Sequence, residues 1–167
     1  VKDFDIGAAM ELRRDKSQIE SRNTWLLRTN ANYKLNSDWR SLARFNMSSS
    51  DSTQGSFFDG NFKEAVLGFA YRPVYNEKIN ALLKYTFFEN LASPGQVARD
   101  NNVIDFKQRS HVFAIDASYD VYWQLTAGIK YAYRHGELRD ARTDSGEWFR
   151  SRAHLIVLRG DWHVVHN

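Results

Sequence analysis

The stretch Thr24–Phe45, TWLLRTNANYKLNSDWRSLARF, decides the fold of this chain. From Leu27 to Leu35, every second side chain is apolar or small apart from one threonine, and those between are polar or charged. Residues 36–38 interrupt the alternation, which restarts at Trp39. Because successive side chains of a strand point to opposite faces, the stretch predicts a β-hairpin with one apolar and one charged face.

The same alternation recurs along the whole chain. Connections after the second, fourth and sixth segments are short, and those after the third, fifth and seventh are long. Antiparallel neighbours then place the short turns at one end and the long loops at the other, as in outer-membrane barrels. The expected strands span residues 3–14, 24–35, 39–47, 61–72, 78–88, 109–119, 124–134 and 148–164.

Composition limits the classes of protein. The 167 residues have a mean hydropathy of −0.58, and no apolar run is long enough for a transmembrane helix. The lack of cysteine excludes disulfides, cysteine-ligated zinc and iron–sulfur clusters. The net charge is only +3 and the cations are spread singly, so we expect no nucleic-acid partner and no cofactor.

Two kinds of barrel fit the alternation. A soluble, lipocalin-like barrel would turn the apolar face inward, whereas a membrane barrel would turn it to lipid. Aromatic residues near the short turns favour the membrane barrel, because amphipathic rings prefer the headgroup region. The predicted interfacial aromatics are Tyr33, Trp39, Tyr71, Tyr119 and Trp123.

The charged face mixes large charged residues with glycine and alanine, which suits a confined lumen where side chains interdigitate. Since buried charges need partners, we expect both signs to form one network that fills the lumen. The predicted lumen charge network comprises Glu11, Arg28, Arg44, Glu64, Arg72, Lys84, Asp116, Lys130, Arg159 and Asp161. The expected fold is all-β: an eight-stranded antiparallel up-and-down transmembrane β-barrel (a meander), formed by residues 1–167 as one domain, with a fragment of a larger barrel as the alternative.

The stretches 68–96, 109–140 and 151–167 resemble the C-terminal barrel region of large, poorly characterised Gram-negative outer-membrane proteins. The resemblance implies a bacterial outer-membrane location, with the N-terminus and short turns periplasmic and the long loops extracellular. It also implies contact with the lipid bilayer, with lipopolysaccharide and with the barrel-assembly machinery. Loops 48–60, 89–108 and 136–147 are the expected sites for a surface partner.

Chemical motifs are weak. His163 and His166 are three residues apart with no third metal ligand in view, so no metal site is expected. His135, Glu137, Asp140, Asp144 and Ser145 share the last long loop, where a hydrolase could place acid, histidine and serine groups, but loops are rich in such residues and we expect no enzyme. The expected function is a structural anchor or surface-interaction protein. An anion-preferring passive channel is the alternative if the barrel has more strands, ahead of a loop-rim hydrolase or a soluble ligand binder.

Overall fold

The computed structural model describes residues 3–16, 18, 21–52, 60–89, 106–140 and 147–162. Within these ranges all regular structure is β-strand. Eight strands follow one another: β1 (Phe4–Lys16), β2 (Ser21–Lys34), β3 (Trp39–Ser52), β4 (Gly60–Tyr71), β5 (Ile79–Glu89), β6 (Phe106–Tyr122), β7 (Leu125–Asp140) and β8 (Phe149–Trp162).

The strands form a single sheet in the order β1-β2-β3-β4-β5-β6-β7-β8, and each pairs antiparallel with the next. The predicted all-β, eight-stranded meander is therefore confirmed. The turn between β2 and β3 also forms as expected, because Oδ1 of Asn36 accepts hydrogen bonds from the backbone N–H groups of Asp38 and Trp39, at 2.9 and 2.8 Å. An Asx turn of this kind reverses the chain in few residues.

Three strands extend by three or more residues into the loops that the sequence predicted. β3 continues to Ser52, β6 begins at Phe106 and β7 continues to Asp140, so parts of the expected loops 48–60, 89–108 and 136–147 are strand. The reason is cross-strand pairing, which continues after the apolar alternation stops: Ser49 pairs with Trp25 and Gly136 with Ser110. The remainder of those loops, at 53–59, 90–105 and 141–146, lies outside the described residues.

The sheet does not close on itself in the described part of the chain. β1 pairs only with β2, β8 pairs only with β7, and β1 and β8 do not contact each other. Nearly every described residue of these two strands is exposed. Closure at eight strands is therefore not observed, because both edges keep unpaired backbone groups. Among the described residues, no helix is long and apolar enough to cross a membrane.

The strands are staggered like those of a barrel. The row of directly paired residues that starts at Phe4 and Tyr33 crosses β4 at Phe69, β6 at Ile115 and β8 at Ile156. These positions lie two, four and six residues from Tyr71, Tyr119 and Trp162, which stand at the turn ends of their strands. The stagger is thus one residue per strand. Since the rise per residue is about 3.3 Å and neighbouring strands are about 4.8 Å apart, the strands would tilt by roughly 35° from the axis of a barrel. Barrel strands tilt by about 35–45°.

Directly paired residues share a face of the sheet, so the register defines two faces. The apolar face contains Leu83 and the row just described, and the polar face contains its neighbour Lys84. Apart from glycine, the most buried strand residues are Val66, Thr86 and Ser110, which are only 3–4% exposed. All three lie on the polar face. On β4, β5 and β6 the least exposed of these side chains therefore lie on the polar side of the sheet.

Candidate functional site

The apolar face carries a band of constant height. Every strand except β4 has five alternate positions, starting at its turn end and spanning nine residues, at which the side chain is apolar, aromatic or small. Four residues in the whole band are exceptions. Strand β4 has four such positions before Lys63. A transmembrane β-strand needs about 9–11 residues. The bands are Phe4–Leu12, Trp25–Tyr33, Trp39–Met47, Ile79–Phe87, His111–Tyr119, Leu125–Tyr133 and His154–Trp162, with Ala65–Tyr71 on β4.

This apolar band is not covered by any other described part of the chain. Its exposed large side chains range from 38% exposed for Phe45 to 77% for Leu158. A continuous exposed apolar surface across eight strands far exceeds the few hundred Å² that soluble monomers usually show.

The four polar exceptions in the band are Thr29, Ser41, His111 and His154, and each has a hydrogen-bond partner inside the sheet. The hydroxyls of Thr29 and Ser41 donate to the backbone carbonyls of Phe45 and Tyr33, at 3.1 and 3.4 Å. The two histidines meet tyrosine hydroxyls: Nδ1 of His111 lies 2.8 Å from Tyr85 Oη, and Nδ1 of His154 lies 3.0 Å from Tyr131 Oη. These four side chains therefore have partners within the sheet.

Aromatic side chains mark the turn end of the band, where the sequence predicted an interface. Trp39 packs against Tyr71 with ring centroids 4.7 Å apart, and Tyr33 meets Phe4 edge-on at 6.3 Å. Tyr119 lies on the same face near the end of β6. Trp123 differs, because it lies in the turn between β6 and β7, where it is 79% exposed.

Further aromatic contacts at the loop end of the band were not predicted. The His111 ring packs against Phe87 at 5.1 Å between centroids, and His154 packs against Tyr133 at 5.0 Å. Eight residues separate His111 from Tyr119 on β6, about 26 Å along the strand at about 3.3 Å per residue. With the tilt, the two aromatic rows are roughly 22 Å apart, close to the band of about 25 Å in outer-membrane barrels.

Beyond the aromatic row at the loop end, the apolar face becomes charged. One row of directly paired positions alternates in sign across β4 to β8: Lys63, Glu89, Arg109, Glu137 and Arg150, which we call the charge ladder. Lys63 Nζ lies 3.2 Å from Glu89. Glu137 accepts a hydrogen bond from Arg109 and forms an ion pair with Arg150 at 3.3 Å. In the sequence, each member is only a charged residue at a position that the alternation assigns to the apolar face. The charge ladder becomes visible only when the register between the strands is known.

Glu137 is the most enclosed member of the charge ladder, with a side chain 10% exposed. Its hydrogen bond from Arg109 lowers the pKa of this carboxyl, and the nearby charges of Arg109 and Arg150 act in the same direction against partial burial. His135 Nε2 also lies 3.6 Å from its Oε1. Of the five loop residues considered for hydrolysis, the structure thus brings His135 beside Glu137, while Asp144, Ser145 and the side chain of Asp140 lie outside the described part of the chain.

The predicted lumen charges lie together on the polar face, except for Arg72, which follows the end of β4. They do not form one network. Arg44 binds Glu64 at 3.1 Å, and Asn46 donates to the second oxygen of Glu64 at 2.6 Å. Two other pairs stand apart, Arg28 with Glu11 at 4.0 Å and Arg159 with Asp161 at 2.7 Å.

The remaining predicted charges stay outside these pairs. Asp116 and Lys130 face each other at directly paired positions, yet no described ion pair joins them or involves Lys84. In the described residues these charges form three separate pairs, and a network across a lumen stays a prediction because the described sheet is open. A groove of about 690 Å³ on this face is lined by Arg28, Arg44 and Glu64, among others.

Small residues of the polar face do lie under larger neighbours, as the sequence suggested. A Cβ on Gly68 would come within 3.1 Å of two side-chain carbons of Leu42, and one on Gly128 would stand 3.6 Å from Cβ of Arg159. Glycine therefore makes room for long side chains on this face.

No group of three or more histidine or acidic side chains in the described ranges could hold a metal ion. His163 and His166 lie outside those ranges. The chain matches no protein-family model, and comparison with curated proteins gives no match either. The geometry of the sheet therefore carries the functional argument by itself.

Proposed function

We propose that the chain forms part of the wall of a transmembrane β-barrel in the outer membrane of a Gram-negative bacterium. The apolar band faces lipid, and the polar face lines the lumen. The observation that carries this proposal is the exposed nine-residue band, bounded by aromatic rows, in which the four polar exceptions have hydrogen-bond partners inside the sheet. Lipid imposes that condition, because hydrocarbon offers no hydrogen bonds.

The distribution of burial argues against the soluble alternative. A lipocalin-like barrel would bury its apolar face and expose its polar face. Here Val66, Thr86 and Ser110 are buried on the polar face, while Leu67 and Phe113 on the apolar face are about half exposed. Only an apolar solvent makes that arrangement favourable.

The open edges favour a barrel with more than eight strands. Unpaired backbone groups in hydrocarbon cost several kcal/mol each, so open sheet edges do not occur there. In the membrane β1 and β8 would therefore need partners, and further strands would supply them. The observed stagger already matches the tilt of outer-membrane barrels, so such strands can continue the sheet without changing its geometry.

Labelling of single cysteines tests the orientation, since the chain has no cysteine of its own. Leu83→Cys and Lys84→Cys are adjacent on β5 but on opposite faces, so each controls for the other. In lipid vesicles, a lipid-dissolved quencher should reach a label at position 83, and a small water-soluble thiol reagent should react faster at position 84. Equal reaction of both with the water-soluble reagent would overturn the proposal.

For the lumen, a passive channel that prefers anions is favoured over a filled anchor. The ten predicted lumen charges comprise six cations and four acids, and only three ion pairs among them form in the described residues. A wider barrel would leave the cations on an aqueous path, and rings of Arg and Lys select anions.

Conductance across planar bilayers distinguishes the channel from the anchor. The full protein should give steady steps with anion preference, and Lys84→Glu together with Lys130→Glu should shift the reversal potential toward cations. Glu77→Lys with Glu147→Lys, which alters charges outside the strands by the same number of units, serves as the control. Absence of conductance steps from inserted protein would leave the filled anchor as the better proposal.

A further inference from the structure

We infer that the polar face holds a binding site for a small monocarboxylate with an apolar body, such as a single ring, at the loop end of β5, β6 and β7. The inference rests on the proposed function, in which this face lines the lumen, and it names a substrate class for the channel. The site is a pocket of about 280 Å³, which we call the carboxylate pocket. Its described lining consists of Phe88, Gln108, Ser110, Val112 and Arg134.

The carboxylate pocket has an apolar wall. Phe88 lies directly opposite Ser110, and Val112 follows Ser110 by two residues on the same face, so the two apolar side chains are diagonal neighbours across β5 and β6. Both side chains are partly exposed and can therefore be covered by a ligand. Pockets for drug-sized ligands measure roughly 300–1,000 Å³, so this smaller pocket suits a molecule with about one ring.

Arg134 brings a positive charge to this wall. It lies directly opposite Val112 on β7, and its Nη2 donates a hydrogen bond to the hydroxyl of Ser110 at 3.3 Å. A Cβ on Gly136, the residue opposite Ser110, would lie 3.4 Å from Ser110 Oγ and 3.6 Å from Arg134 Nε, so the glycine leaves room beside both groups. The guanidinium is therefore oriented toward the pocket.

The guanidinium of Arg134 keeps donors for a ligand. The residue is exposed, and none of the ion pairs formed by the described residues includes it. A guanidinium has five N–H donors, and the bond to Ser110 uses one of them. Glu64, directly opposite Phe88 on β4, is already bound by Arg44 at 3.1 Å. A planar guanidinium can pair with both oxygens of a carboxylate, so an acidic ligand would supply what this arginine lacks.

The apolar wall favours an organic acid over an inorganic anion. Chloride or phosphate could reach Arg134, but either would leave Phe88 and Val112 in contact with water. A ring can cover both side chains while its carboxylate meets the guanidinium, whereas a neutral analogue would lose the charged hydrogen bonds. Because the described lining holds one cation, it matches one carboxylate.

A fluorine NMR titration of the full protein in lipid nanodiscs tests the inference, with para-fluorobenzoate as the probe. The neutral para-fluorobenzamide has the same ring and serves as the second probe. We expect saturable binding of para-fluorobenzoate about tenfold tighter than that of para-fluorobenzamide, since hydrogen bonds between charged groups are among the strongest. Arg134→Gln should abolish this preference. Val112→Phe, which fills the pocket and keeps the charge, should weaken the binding of both probes.

Arg40→Gln is the matched control, because it removes the same charge from the polar face at the turn end of β3. It should bind para-fluorobenzoate as the unchanged protein does. Equal affinity for the two probes, or equal losses in Arg134→Gln and Arg40→Gln, would overturn the inference. Displacement of para-fluorobenzoate by an equal concentration of acetate would also overturn it, because the pocket would then recognise a carboxylate without the apolar body.

The outcome is separable from that of the proposed function. Failure to bind para-fluorobenzoate, together with the expected labelling at positions 83 and 84, would remove only the carboxylate pocket. Labelling that contradicts the membrane orientation would remove the proposed function and the channel role inferred from it.

Discussion

The two faces of this sheet have opposite relations to their surroundings. On the apolar face, Ile6, Leu67 and Ile129 are at least half exposed, and the hydroxyls of Thr29 and Ser41 are hydrogen-bonded within the sheet. On the polar face, Val66 and Thr86 are nearly inaccessible, while Arg28 and Arg159 extend into open space. A soluble sheet shows the reverse. The comparison teaches that the exposure of each face bears on its solvent, which under the proposed orientation is lipid on one side and water on the other.

Placing a charged residue on the apolar face and an apolar residue on the polar face, at the centre of β5, should have the largest effect on stability. Leu83→Arg places a charge in the apolar band and should destabilise the membrane-inserted state by about 2–4 kcal/mol. Lys84→Leu, its neighbour on the polar face, should cost less than about 1 kcal/mol, because no described ion pair is lost. Urea titrations of protein inserted in vesicles measure both. Similar costs for the two variants would break the contrast between the faces.

Glycine substitution should show that the polar face is packed and the apolar face is not. Gly68→Ala brings a methyl group within 3.1 Å of Leu42 and should destabilise the protein by about 1 kcal/mol, because Leu42 must move. Gly160→Ala on the apolar face meets nothing within 4 Å and should stabilise by about 0.4–1 kcal/mol through the unfolded chain. The same urea titrations give both signs, and a stabilising Gly68→Ala would contradict the packing.

Acid should weaken the loop end of the apolar face by the smallest amount. The hydrogen bond from Arg109 lowers the pKa of Glu137. The contribution of the ionised Glu137 to stability is therefore complete above the ordinary pKa of 4.5, and it is lost as the pH falls through the lowered pKa of the folded protein. The stability difference between the unchanged protein and Glu137→Gln should therefore shrink as the pH drops below that range. Glu11→Gln, which removes a carboxylate from the long exposed pair with Arg28, is the control variant.

Much of the fold follows from local pattern. The alternation in Thr24–Phe45 predicts a hairpin because strand side chains have a period of two residues, and Asn36 supplies the turn. The same reasoning located all eight strands and separated the two sets of side chains. Strand ends were less accessible to it: β3, β6 and β7 continue through polar residues because backbone pairing does not need apolar side chains.

By itself, the sequence determined the number of strands, their antiparallel order and which residues share a face within each strand. Only the tertiary structure decided what depends on register between strands. The stagger, the hydrogen-bonded polar residues of the apolar band and the charge ladder from Lys63 to Arg150 all join residues distant in sequence. The open edges belong to the same class, because closure depends on how far each strand is displaced against the next, and alternation along one strand carries no information about that displacement.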